Sequence, residues 1–78
     1  MPTFFFRIRD VDVLIEDTEG QEFPNVKDAR AEAVYAAREM LAEKARNGEI
    51  VDGQKIEVVD SSGNLVAVVL LKDELRKE

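Results

Sequence analysis

Seven consecutive apolar residues, Leu65-Val66-Ala67-Val68-Val69-Leu70-Leu71, make the most demanding hydrophobic pattern in the chain. Strand side chains alternate between faces, so this run sets Leu65, Ala67, Val69 and Leu71 against Val66, Val68 and Leu70, and both sets need cover. The other strand-like segments are half apolar. Phe4, Phe6 and Ile8 alternate with Phe5, Arg7 and Arg9; Val11, Val13 and Ile15 with Asp12, Leu14 and Glu16; Ile56 and Val58 with Lys55, Glu57 and Val59. These patterns predict strands over 3–9, 11–16, 54–60 and 64–71. Asp17-Thr18-Glu19-Gly20 reads as a turn, and Asp60-Ser61-Ser62-Gly63-Asn64 as a hairpin connection with Gly63 free to take positive φ.

Between the second and third strands the period changes. Asn25 is a good N-cap, and Asp28 adds a negative charge at the positive end of the helix dipole. No Gly or Pro follows until Gly48, so a helix is predicted over 26–47. Val26, Ala29, Ala33, Ala36, Ala37, Met40 and Leu41 share one stripe, and its alanines let the helix lie close to a sheet. Tyr35 falls on the opposite, polar side, and Phe23 is placed under the helix start. The predicted fold is a single two-layer α+β domain over 1–78, strand-strand-helix-strand-strand, with a mostly antiparallel sheet and one long helix on one face. The charged tail, 72–78, is expected to form a frayed helical turn.

At 78 residues a fold buries only about 60 to 65% of its unfolded surface, so association with another chain would help stability. The chain has no cysteine and no histidine, which excludes disulfides, zinc fingers and the usual base of a nucleophilic triad. Ser61 and Ser62 therefore read as turn formers, and no enzyme or cofactor is expected. The apolar run is far shorter than the roughly 20 residues of a membrane span, and no basic leader precedes a long apolar stretch, so the expected location is cytoplasmic. Lys72-Asp73-Glu74-Leu75 spells a retention signal, but three residues follow it and such signals are read at a free terminus.

Charge narrows the partners. The formal net charge is −6, which repels a phosphate backbone, and only Phe5 of the three adjacent phenylalanines shares a face with Arg7 and Arg9, so no nucleic acid is expected. Residues 10–22 hold Asp10, Asp12, Glu16, Asp17, Glu19 and Glu22 without one Lys or Arg, an edge that a basic partner surface could use. Asp10 and Asp12 have the spacing that opens a calcium loop, but Leu14 and Ile15 stand where further loop residues belong, so no metal is expected. One helix about 10 Å wide cannot cover a sheet of four strands spaced about 4.8 Å apart. The candidate interface is accordingly the uncovered face, assigned to Phe5, Val59, Ala67, Val69 and Leu71, and its occupant a second copy or an unidentified protein. The alternative cover is the tail, folding back through Leu75.

Met1-Pro2, Phe4-Phe5-Phe6, Arg9-Asp10, Glu22-Phe23-Pro24, Ala29-Arg30-Ala31-Glu32-Ala33, Ile56-Glu57-Val58, Asp60 and Gly63 together resemble a family of small bacterial domains of unknown function, common in rhizobia and their relatives. The resemblance covers almost the whole chain and departs at Val11, where members of that family often have glycine. It implies no activity. In layout alone the chain is similar to antitoxin-type folds such as HicB, which implies a regulator. The expected function is a non-enzymatic interaction or regulatory module, with a ligand-binding or enzymatic domain using the acidic region 10–22 as the alternative. A pocket with convergent polar groups would favour the latter.

Overall fold

The computed structural model describes residues 1–10, 13–51 and 53–74. Its elements are β1 (Thr3–Asp10), β2 (Val13–Glu16), β3 (Gln21–Glu22), α1 (Val26–Arg46), β4 (Lys55–Asp60), β5 (Leu65–Leu70) and α2 (Leu71–Glu74). The sheet runs β2-β1-β4-β5, antiparallel throughout, with β3 pairing the start of β1 beside β2. A shortest dimension of 16 Å leaves room for two layers. The fold is thus the α+β arrangement that the pattern predicts, with a fifth strand added. Gln21–Glu22 is too short to carry a period, so β3 had no signal beyond the turn that precedes it.

The helix forms where its caps place it. The Asn25 side chain accepts a hydrogen bond from the Asp28 amide at 2.8 Å, which satisfies one of the free N–H groups of the first turn. At the other end Lys44 and Arg46 complement the dipole, and Gly48 takes a φ of 69°. Ala29, Ala33 and Ala37 are fully buried on β4 and β5, at the four-residue spacing that stacks methyls on one face. Phe4, Ile56, Val58, Val69 and Leu71 complete the core, each large side chain worth about 1.5 to 3 kcal/mol of burial. Phe23 does tuck against it: its ring lies 6.2 Å from Phe4 and 6.0 Å from Phe6, the second contact edge-on. Tyr35 is exposed, as its place on the polar side requires.

β5 departs from the simple alternation. Ile56 pairs with Val69 and Val58 with Ala67, but the next pair is Val59 with Leu65, so Val66 is an extra residue. Such a bulge resets the alternation: paired side chains share a face, so Ala67 and Val69 point to the helix while Leu65 points away. Ala67, Val69 and Leu71 therefore do not lie on the uncovered face assigned to them. Val69 is 2% exposed and Leu71 0%, both within the helix-side core, and Ala67 packs against it. Beyond Val69 the Leu71 amide donates to the Gln54 carbonyl, and the chain then turns into α2, a residue before the predicted strand ends. Arg38 of α1 fastens that turn by a 3.1 Å hydrogen bond to the buried Glu74 carboxylate. α2 thus packs on the helix side; Leu75 lies outside the described residues.

Candidate interaction surface

The face of the sheet away from α1 is built by β1 and β4 at its centre. Cross-strand pairing puts Phe5 beside Val59, Arg7 beside Glu57, and Arg9 beside Lys55. On the flanks the same face carries Leu14 and Glu16 of β2, and Leu65, Val68 and Leu70 of β5. Phe5 and Val59 are where the alternation places them; Val59 is buried and lies outside the helix-side core. Val68 and Leu70 follow the alternation onto this face, opposite Val69, and the bulge brings Leu65 to join them. Leu65 is 51% exposed, a value that the bulge explains, and Val68 38%.

Glu57 anchors the middle. Arg9 Nε donates to Glu57 Oε1 at 2.9 Å, Arg7 Nε lies 3.4 Å from the same oxygen without hydrogen-bond geometry, and Lys55 Nζ is 3.7 Å from Oε2. Burial alone would push the Glu57 carboxyl up. The Arg9 hydrogen bond and the charges of Arg9, Arg7 and Lys55 outweigh it and hold the group below its ordinary range. Three cations around one carboxylate make this face a basic island in an acidic protein.

Two turns wall one end of the face. Thr18, Asp17 and Glu16 on one side and Asp60, Ser61 and Gly63 on the other enclose a groove of about 450 Å³ floored by Phe5, Arg7 and Val59. Gly20 is required here, because its φ is 77° and a Cβ would stand 2.7 Å from Thr3 Cγ2 and 2.8 Å from Phe5 Cε2. The carboxylates are occupied by the turns themselves. Asp17 Oδ1 accepts the Glu19 amide, and Asp60 accepts the Ser62 and Asn64 amides, the Asn64 bond being the chief cause that holds Asp60 below its usual range.

Asp10, one half of the calcium-like spacing, is bonded to Gln54 and Lys44, which lower its pKa in that order, and the Lys44 ammonium is raised in return. Asp12 and the departure at Val11 lie outside the described residues. Among the described residues no three His, Cys, Asp or Glu side chains gather as a metal site, and no helix is long and apolar enough to cross a membrane.

The two edges of the sheet complete the surface. At β2 the Asp17 amide donates inward to the Phe6 carbonyl at 3.0 Å, so alternation turns the backbone groups of Leu14 and Glu16 outward. At β5 the Leu71 amide points inward to Gln54, so the groups of Val68 and Leu70 face out. No curated protein and no solved structure gives a significant match to the chain. A family model does match, over residues 3–72, and the chain accordingly belongs to DUF6894, a domain of unknown function.

Proposed function

We propose that this domain is a non-enzymatic interaction module that self-associates through the β5 edge and the adjoining open face. The observation that carries the reading is an edge strand with no charged residue, whose outward backbone groups belong to Val68 and Leu70 and whose side chains there lie on the uncovered face. Such an edge is a template for another strand. A second copy fits it without bringing like charges together. An antiparallel pairing about a two-fold axis, centred on Val68, sets Val68 beside its symmetry mate and Ala67 beside Val69 of the other chain. It joins the two open faces into one broad surface.

Sedimentation across a wide concentration range tests this. The expected outcome is a dimer that Val68→Lys weakens without loss of fold. A chain still monomeric at about 1 mM, where a dimer worth about −4 kcal/mol would form appreciably, refutes it.

A second reading has one observation in its favour. The groove between the two turns is within the range of about 300 to 1,000 Å³ common for small-molecule sites and has an arginine and an aromatic ring in its floor. It ranks behind because Asp17 and Asp60 already bind their own turns and Arg7 leans on Glu57. Nuclear magnetic resonance shifts recorded with calcium, magnesium and small anions test it. Saturable changes confined to Phe5, Arg7 and Thr18 would move this reading to first place.

A further inference from the structure

We propose that the β2 edge, at the opposite side of the sheet, docks an extended lysine- or arginine-bearing segment of a partner protein as an added strand. This site is separate from the β5 edge, and its test does not depend on self-association. Three features converge there. The first is the unpaired backbone: Leu14 and Glu16 present N–H and C=O groups outward, and all four side chains of β2 are exposed. The second is an apolar cavity of about 220 Å³ on the helix side, lined by Phe6, Ile8, Ala36 and Ile56, with Asp17 and Glu32 among its lining. Val13 and Ile15, 55% and 56% exposed, lie on the same face of the neighbouring strand.

The third feature is charge, and it selects the occupant. Glu16, Asp17, Glu19 and Glu22 follow one another along this edge, and among the described residues none is in an ion pair. A second copy pairing here would set these carboxylates against their own kind, and nucleic acid would meet the same repulsion. A basic strand relieves it. In such a strand alternate side chains fall on the helix side, where the stem of a lysine or arginine is long enough to cross the roughly 4.8 Å to β2 and lie over Ile15. Its charged head then reaches toward Asp17 and Glu32. The intervening residues fall on the open face against Leu14, where an apolar side chain fits. Main-chain hydrogen bonds supply affinity and the alternation supplies selectivity, the division of labour in strand addition.

The probe is a capped peptide, Lys-Val-Lys-Val-Lys-Val-Lys, titrated into the labelled full chain and followed by amide shifts and by fluorescence anisotropy. Shifts are expected at Val13 to Asp17, Glu32 and Ala36, with affinity falling as salt rises from about 50 to about 300 mM. The matching peptide with glutamates in place of lysines should not bind. Leu14→Pro removes an outward N–H that the β1 ladder does not use, so it should weaken binding at least about tenfold while the circular dichroism spectrum is kept. Glu16→Lys, which leaves the backbone intact, should weaken it too and reduce the salt dependence. Equal binding of the glutamate peptide, shifts that map to β5, unaltered affinity in both variants, or pairing of β2 with its own copy would each overturn the proposal.

Discussion

The two edge strands expose backbone in the same way and differ in almost everything else. β2 turns out the backbone of Leu14 and Glu16, β5 that of Val68 and Leu70, and in both cases the side chains of those residues lie on the open face. Yet β2 is exposed at each of its described positions and followed by an acidic turn, whereas β5 is uncharged and anchored by Val69 under α1. An edge can be guarded by charge or by irregularity. β2 is guarded by charge, which bars its own copy and admits a basic strand. β5 has only its bulge and the short turn of α2, which leave it open to a second copy.

Substitution with the same residue at matched positions is the sharpest way to break this comparison. Val69 and Ile15 both point to the helix side of an edge strand, but Val69 is 2% exposed and Ile15 56%. Val69→Lys should cost more than about 4 kcal/mol, because an ammonium would enter an apolar core without a partner. The measurement is chemical denaturation. A Val69→Lys chain that unfolds with near-normal stability would place that residue on the open face after all.

That expectation reverses the assignment of Val69 to the uncovered face, and the reversal shows what a sequence pattern can carry. The helix was legible because its signals are local: Asn25, Asp28, the alanine spacing and Gly48 act within a few residues of where they stand. Strand existence was legible for the same reason. The face of β5 was not, since a run apolar on both faces does not mark which set meets the helix; pairing of Val69 with Ile56 decides it, and the bulge opposite Val58 and Val59 then moves Leu65 across. The neighbours of each strand depend on such long-range pairing as well. Of the candidate surface, Phe5 and Val59 could be read from β1 and β4, which keep strict alternation, while Val68 and Leu70 required the register with β4 and Leu65 the bulge.

Gly20 tests how rigidly β2 and its turn are held. Gly20→Ala forces a side chain into positive φ and against Thr3 and Phe5, and should cost about 2 kcal/mol by thermal or chemical unfolding. A cost near zero would mean that the turn moves freely and that the groove above Phe5 has no fixed wall.

Three carboxylates, each with partners of its own, set a pH dependence. Glu57, Asp10 and Asp60 all have lowered pKa values in the fold, so their stabilising contributions are present above the ordinary values of 4.5 for Glu and 3.8 for Asp, and are lost as pH falls through the folded values. Stability should drop as pH is lowered below 4.5. Glu57→Gln should flatten part of that fall and cost about 1 kcal/mol at neutral pH, a modest figure because the Arg9 side chain that bonds it is 45% exposed. An unaltered acid profile in Glu57→Gln would remove Glu57 as its source.

The smallest stability effects discriminate most finely between the edges. Ile15→Lys and Val68→Lys each place a lysine at an exposed position, so each should change stability by no more than about 0.5 kcal/mol. Their consequences for association should diverge. Val68→Lys sets two like charges at the centre of a β5 pairing and should shift sedimentation toward monomer, whereas Ile15→Lys leaves that edge untouched and should sediment as the wild type does. At β2 the order inverts: Ile15→Lys puts a cation where the basic strand would lie and should weaken the lysine peptide, while Val68→Lys should not. If each variant affected both readouts equally, the two edges would be one coupled surface, and the division between a self-pairing side and a partner-binding side would fail.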